Sequence, residues 1–356
     1  MRRALSLALL VVGVFAIAMA VLLPTHVYHS LAKTPLNQNS TTVLDGTAER
    51  VLAVEETPEG PEPTIREDVD LTAVAKVQAN FSRPEMTEGS DVAVWAQTLR
   101  VTDNADDKVV SASKRQVCFD RRTAEGYTGT DENRCAPEST FVAKLQQDPD
   151  APGQKPQEYA EYGGQPGLHF KYPFDTQRKS YEIYDNTIGK PVTSSFEGTD
   201  EVNGLPVLKF VQPIPATQFS EQQVAGELVG AGPEPSVDVG RYYTNTITDY
   251  VEPTTGLIVK QEQQQRQELR LPGQDEGTVV LDGDLEYSPD TIAAKVAQAE
   301  ESMGGLKMLS AAPWVLGPVG ALLVVAGLLL LPRRNRTTPD REFDAPTHPQ
   351  HAMSDR

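Results

Sequence analysis

The residues able to carry chemistry in this chain are few and scattered. It has five histidines, and three of them, His26, His29 and His169, lie between its two apolar ends. Hydrolysis by a triad needs a nucleophile, a base and an orienting acid brought together. No Gly-x-Ser-x-Gly elbow offers the nucleophile. No His-Glu-x-x-His, phosphate-binding loop or Gly-x-Gly-x-x-Gly occurs either. His169 stands alone in Leu168-His169-Phe170-Lys171-Tyr172-Pro173-Phe174, which favours a structural role. Asp103, Asp106 and Asp107, and Asp282 with Asp284, are of the type that ligates Ca²⁺. Both groups sit at apparent turns, without the loop and terminal Glu of a calcium hand. Carboxylate pairs for glycoside hydrolysis are defined in space rather than in sequence, and 6% aromatic content gives no sign of a sugar cleft. The expectation is a protein that is not an enzyme, with no catalytic, metal or cofactor residues.

Two other sets remain. Cys118 and Cys135 are the only cysteines. In an exported region such a pair suggests a disulfide, worth about 3 kcal/mol in the chain-entropy model. There is no Cys-x-x-Cys for redox work, and two cysteines without nearby histidine give a metal too few ligands. Aromatic residues concentrate between Tyr159 and Tyr184. They read first as packing residues. The functional alternative is that Phe170, Tyr172, Phe174, Tyr181 and Tyr184 line a groove for a lipid or glycan.

The elements that must hold these residues begin with two apolar runs. A helix needs about 20 residues to cross the hydrocarbon. Ala4–Leu23 meets that length without a charge, and Arg2 and Arg3 precede it. Trp314–Leu331 is followed by Arg333, Arg334 and Arg336. Arginine-rich flanks stay cytoplasmic, so both termini are expected inside the plasma membrane and the middle outside. Ala18-Met19-Ala20 has the form of a signal-peptide cleavage triplet. The run continues through Val21-Leu22-Leu23, so the expectation is a retained anchor. Acids outnumber Lys and Arg by 50 to 32, for a net charge of −18. That surface repels nucleic acid and anionic headgroups.

Between the runs the pattern has period two, as half-buried strands do. Val69–Val77 alternates cleanly, and Trp95–Val101 turns at Asp103–Asp107 into a partner strand ending at Phe119. Asn203-Gly204 joins Val192–Glu201 to Leu205–Gln212, the strongest short hairpin signal. Further strands fit Tyr242–Val251, Leu257–Leu271 and Thr278–Tyr287. Glu55–Asp68, Gln146–Gly167 and Phe219–Gly240, rich in Pro, Gly or acid, read as long loops. Ser288, Pro289 and Asp290 open a helix with Ile292, Val296, Met303 and Leu306 on one face. The fold class is therefore mainly β, an antiparallel-sheet extracytoplasmic domain of one or two lobes flanked by two transmembrane α-helices, with a membrane-proximal helix before the second. The expected segments are a cytoplasmic start at 1–3, a span at 4–23, a β lobe at 24–145, a connection at 146–167, a second lobe at 168–287, a stalk helix at 288–310, a span at 314–331 and a cytoplasmic disordered tail at 332–356.

Several strings resemble a known family. They are Lys33-x-Pro35-Leu36 with Ser40-Thr41-Thr42-Val43, then Tyr172-Pro173-Phe174, Tyr184-Asp185-x-Thr187 and Gly204-Leu205-Pro206-Val207. The fullest is Arg241-Tyr242-Tyr243-Thr244-Asn245-Thr246, leading to Val251-Glu252-Pro253-Thr254-Thr255-Gly256-Leu257. Together they resemble the actinobacterial PorA-type envelope proteins over nearly the whole chain. The resemblance implies a two-span cell-envelope protein with a β-rich exported domain, and it brings no site residues. The expected function is a non-enzymatic domain that binds a lipid, glycolipid or envelope protein partner beside the plasma membrane. The alternatives are an oligomeric porin-type channel component and a carboxylate-based envelope hydrolase. Neither apolar run carries the polar stripe that suits a water-filled channel.

Overall fold

A computed structural model describes residues 2–58, 60–127, 134–146, 157–234 and 236–331. The expected cytoplasmic tail, and most of the Pro-rich part of the 146–167 connection, lie outside the described residues. Two compact units result, one from 1–23 with 312–356 and the other from 24–311.

In the first unit, helix α1 (Arg2–Leu22) and the end of α3 (Pro289–Leu330) lie side by side. Both are long and apolar enough to cross a membrane. Ser6 Oγ donates to the Gly327 carbonyl at 2.8 Å, and Gly13 lies against Gly320. Ala20 neighbours Gly317, so the pair runs antiparallel. Small residues let the backbones approach, as apolar helices require when packing alone joins them. Most of the large apolar side chains face outward, including Phe15 at 64% and Leu329 at 80% exposure.

A π-type turn at Leu23–Val27 leads into the second unit, which opens with the short helix α2 (Tyr28–Leu31). Twelve strands follow among the described residues. They are β1 (Asn39–Thr57), β2 (Gly60–Ala79), β3 (Val92–Asp103), β4 (Val109–Asp120), β5 (Phe141–Gln146) and β6 (Gln157–Tyr162), then β7 (Tyr181–Asp185), β8 (Lys190–Val202), β9 (Leu205–Val224), β10 (Val237–Glu252), β11 (Leu257–Arg270) and β12 (Thr278–Tyr287). All pair antiparallel in one sheet of order β6-β5-β4-β3-β2-β1-β12-β11-β10-β9-β8-β7. The strands on either side of the 146–167 connection thus share one sheet, joined where β1 meets β12.

Local chemistry explains the turns. Asn203 and Gly204 take φ of 49° and 84°, the positive values a two-residue hairpin needs. At the β3–β4 turn, Asp103 Oδ1 accepts from the Ala105 amide at 2.8 Å, while Arg66 bridges Asp103 and Asp106 at 2.7 and 2.9 Å. Two of the expected loops instead hold strand. Glu55–Asp68 runs through the tip of the β1–β2 hairpin, and Phe219–Gly240 is strand at both its ends, with 219–224 in β9 and 237–240 in β10, around a short 3-10 turn at Gly226–Val229. The reason is positional. Past Leu52, β1 pairs only with β2, and past Val211, β9 pairs only with β10. Pro63, Pro213 and Pro215 therefore sit on ribbons with one free edge, where a missing N–H costs little.

Short bridges curl the sheet back on itself. Phe119 on β4 pairs with Gly126, Glu125 pairs with Leu168, and Leu168 pairs with Ile183 on β7. The Cys118–Cys135 disulfide staples this closing loop to β4. The core is distributed around the wall. Val94, Trp95, Val117 and Phe119 pack beside the disulfide. Leu168, Tyr172, Leu208, Phe210 and Val251 pack beneath the closure. The first turns of α3 seat Ile292, Val296, Ala299 and Met303 on Val202, Leu205, Val207 and Val259. Ser288 caps that helix by accepting from the Thr291 amide at 3.2 Å.

Candidate functional site

A curled antiparallel sheet sorts its side chains into two faces, because successive residues point to opposite sides. The outer face is charged. Asp45, Lys76, Arg100, Asp284 and Glu286 are exposed there. This suits water, since a strand facing hydrocarbon presents apolar residues. The inner face surrounds a cavity of about 910 Å³ whose lining residues all belong to the 24–311 unit. That volume lies near the upper end for ligand pockets, which run to roughly 1,000 Å³.

The wall has two characters. From β1 to β3, with Leu285 of β12, it is mainly apolar and presents Leu44, Ala73, Val77, Leu99 and Val101. From β10 to β11 it is polar. Gln261, Gln263, Gln265 and Gln267 line the cavity at every second position of β11. Their amides form part of a network. Gln261 Nε2 donates to Asp249 Oδ1 at 2.8 Å, Gln263 Nε2 to Gln261 Oε1 at 2.7 Å, and Arg241 Nε to Gln267 Oε1 at 2.9 Å.

At the closure, Arg115 and His169 are buried together, 8% and 2% exposed. Arg115 Nε donates to Gln97 Oε1 at 2.7 Å, and its Nη1 lies 3.2 Å from His169 Nδ1. His169 Nε2 lies 2.8 Å from the Gln165 carbonyl. The neutral ring protonated on Nε2 satisfies both contacts, donating to the carbonyl and accepting from the guanidinium. Burial, and then the Arg115 charge, push the His169 pKa down to about 3. Burial also lowers Arg115, to about 10. His169 is thus a neutral pin in the wall. Its backbone amide donates to Ala124 at 2.9 Å, and Gly126 packs below it with its amide on Gly167 at 2.8 Å.

The cavity concentrates cations. Among the described residues, Lys33, Arg115, Lys171, Arg241 and Lys295 line it, against Asp185 and Asp249 alone among acids. Lys33 pairs with Asp91 at 2.7 Å. Among the described residues no carboxylate lies within 4 Å of the other four. Lys171 Nζ sits 3.3 Å above the Phe174 ring, and burial brings its pKa down to about 7. Burial lowers Arg241 and Lys295 as well. Both acids are spoken for: Asp185 accepts from the amides of Thr187 and Ile188, and Asp249 from Gln261 and the Tyr172 hydroxyl. Burial raises Asp249 to about 6.

Of the aromatic residues expected to line a groove, Phe170, Phe174 and Tyr184 do border the cavity. Tyr172 and Tyr181 do not. Tyr172 is fully buried, stacked on Phe210 at 4.6 Å, with Tyr181 edge-on at 5.4 Å. Cys118 and Cys135 are bonded to each other. Of the acids weighed for calcium, Asp103 and Asp106 are held by Arg66, and Asp282 by Arg266 at 2.6 Å. Among the described residues no three His, Cys, Asp or Glu groups converge on a metal position. The glutamine row and the inward cations were not foreseen. The row is visible as alternation in Gln261–Gln267, but both faces of β11 are polar, so sequence gives no inward side.

A family model described as Porin PorA matches residues 5–329 of the chain. A protein named Porin PorA from Corynebacterium resistens is 23% identical over 414 residues, covering 94% of this chain and 98% of that one. Another of the same name, from Corynebacterium amycolatum, is 24% identical over 400 residues, covering 92% and 98%.

Proposed function

Because the chain belongs to the porin PorA family, we propose that it is a porin-type component of the cell envelope, anchored by its two apolar helices and without enzymatic activity. The name its relatives carry favours this channel alternative over a domain that only binds a partner. The observation that carries the reading is the lumen itself, about 910 Å³ with a continuous row of amides along β11. A wall of alternating donors and acceptors replaces part of the hydration of a passing polar solute. The charged outer face of the β unit supports its standing in water, so the helices carry the membrane contact. Two helices enclose no path, so conduction requires several chains to assemble. The arginines before α1 and after α3 support cytoplasmic termini, with 24–311 on the other side of the plasma membrane.

The test is planar-bilayer recording with the full-length protein, after crosslinking has established its oligomeric state. Discrete conductance steps that vanish on denaturing the protein are expected. Reconstituted oligomer that leaves the bilayer silent across salt, voltage and pH overturns the channel reading.

A further inference from the structure

A chain with net charge −18 places four cations around one internal cavity with no carboxylate partner among the described residues, and that demands an explanation. Burying a charge is costly unless it is paired. Arg115, Lys171, Arg241 and Lys295 come from β4, from the segment after the closing bridge, from β10 and from α3. Four separate elements thus converge on the lumen with the same sign. Among the described residues no acid lies within ion-pair distance of them, and Asp185 and Glu252 act on Arg115 and Lys171 only from further away. Asp185 and Asp249 are bound to backbone amides and to Gln261 and Tyr172. Glu252 lies buried near Lys171 but is occupied by the amides of Thr254 and Thr255.

A second observation points to an acceptor-bearing occupant. Trp95 and Thr34 line the same cavity, and among the described residues the buried Trp95 indole Nε1 and Thr34 hydroxyl have no hydrogen-bond partner. A third concerns shape. The wall opposite the glutamine row is an apolar strip formed by Leu44, Val77, Leu99, Val101 and Leu285, with Leu306 and Leu309 of α3 also lining the cavity. A free inorganic anion has no use for such a strip.

We propose that the lumen binds an anionic amphiphile, with a carboxylate or phosphate head held by Lys171 and an apolar chain laid along the β1–β3 wall. This deepens the porin reading by naming the solute class its lumen accepts, and it rests on that reading only for the lumen's role in transport. The head replaces the missing counter-charge, through the charge-assisted hydrogen bonds that an ammonium group makes with such oxygens. The chain buries apolar surface at roughly 25 cal/mol per Å².

The test uses the full-length protein in amphipol, where detergent does not compete. The probes are 11-(dansylamino)undecanoic acid, its methyl ester, dodecyl phosphate and inorganic phosphate. Saturable dansyl enhancement by the acid is expected, with the ester at least tenfold weaker. Dodecyl phosphate should displace the acid, and inorganic phosphate should do so at least a hundredfold less well. Lys171→Met should weaken the acid at least tenfold, while Lys76→Met on the outer face leaves it unchanged. Should Lys171→Met fail to fold, Lys295→Gln on α3 takes its place with the same expected direction. Equal binding of acid and ester, equal displacement by the two phosphates, or a Lys171→Met protein that binds as the wild type does would each overturn the proposal. Bilayer recording separates the two ideas. Conductance without acid binding removes the amphiphile and keeps the channel, and binding without conductance does the reverse.

Discussion

The closing pin at His169 gives the domain a pH dependence whose sign can be worked out. Its folded pKa is about 3 against an ordinary 6.5, because burial and the Arg115 charge disfavour imidazolium. A base with a depressed folded value is neutral in both states above pH 6.5. Below that, the unfolded chain takes up a proton that the folded chain refuses. Stability is therefore fully present above about 6.5 and is lost as pH falls toward 3. Linkage gives a loss of about 2 kcal/mol between pH 7 and pH 5. Asp249 acts the other way. Burial raises its folded pKa to about 6 from 3.8, so the folded chain takes up the proton first. Folded protein then gains about 1 kcal/mol over the same interval. The wild type is expected to lose about 0.5 kcal/mol net from these two groups.

Variants separate the terms. His169→Gln removes the first and keeps a donor for the Gln165 carbonyl, so acidification from pH 7 to 5 should no longer cost what it costs the wild type. Asp249→Asn removes the second and should steepen the loss to about 2 kcal/mol. The readout is chemical denaturation of the full-length protein at pH 5, 6 and 7, followed by tryptophan fluorescence, since Trp95 packs against the closure through Phe119 at 4.9 Å and Phe170 at 5.3 Å. All other titrating groups are shared by the three proteins and cancel in the comparison of slopes. A His169→Gln protein that keeps the wild-type pH slope would refute the neutral-pin argument, whatever its absolute stability.

Three further outcomes follow from the geometry. Replacing Cys118 and Cys135 by serine releases a loop spanning 17 positions and should cost about 3 kcal/mol in denaturant melts of oxidised protein; a change below 1 kcal/mol would show that the closing loop is held by its bridges alone. Ser288→Ala removes the cap of α3 and should cost about 1 kcal/mol in the same melts, with an unchanged midpoint counting against the cap. Gly320→Leu should lower the midpoint of the same melts, since a Cβ there would already approach the Gly13 carbonyl at 2.8 Å, and an unchanged midpoint would count against close packing of the two apolar helices.

Legibility followed the range of each interaction. The hairpin turns at Asp103–Asp107 and Asn203-Gly204 and the cap at Ser288 were readable because each is settled within a few residues by backbone preference and a side-chain oxygen. The β1–β2 and β9–β10 tips were not. Their prolines and acids have the composition of loops, and only their placement on ribbons with a free edge lets them remain strand. The closure was hidden for the opposite reason. Gly126, Gln165 and His169 meet across some forty residues, and nothing local in Gly126 announces that its missing side chain makes room for an imidazole. His169 was legible as structural by elimination, yet its partner Arg115 was not, since an arginine in an alternating strand is expected to point outward.

That inward arginine is where charge and fold argue together. Net charge −18 reads as a soluble, repelling surface, and the outer wall of the sheet agrees. The same count conceals an inner wall of opposite sign, because period two divides every strand between two faces and composition sums over both. In β11 the division is Glu262, Arg266 and Glu268 outside and Gln261, Gln263, Gln265 and Gln267 inside. Such a lumen draws in an anion only after the acidic exterior has been passed, so rising salt should act in two directions. It screens the outer repulsion, which reaches about 8 Å at physiological ionic strength, and it weakens the inner attraction less, because buried charges are poorly screened. Binding of 11-(dansylamino)undecanoic acid should therefore strengthen or hold steady from low to physiological salt. A steep loss over that range would mean that the cations meeting the ligand lie on the surface rather than in the lumen.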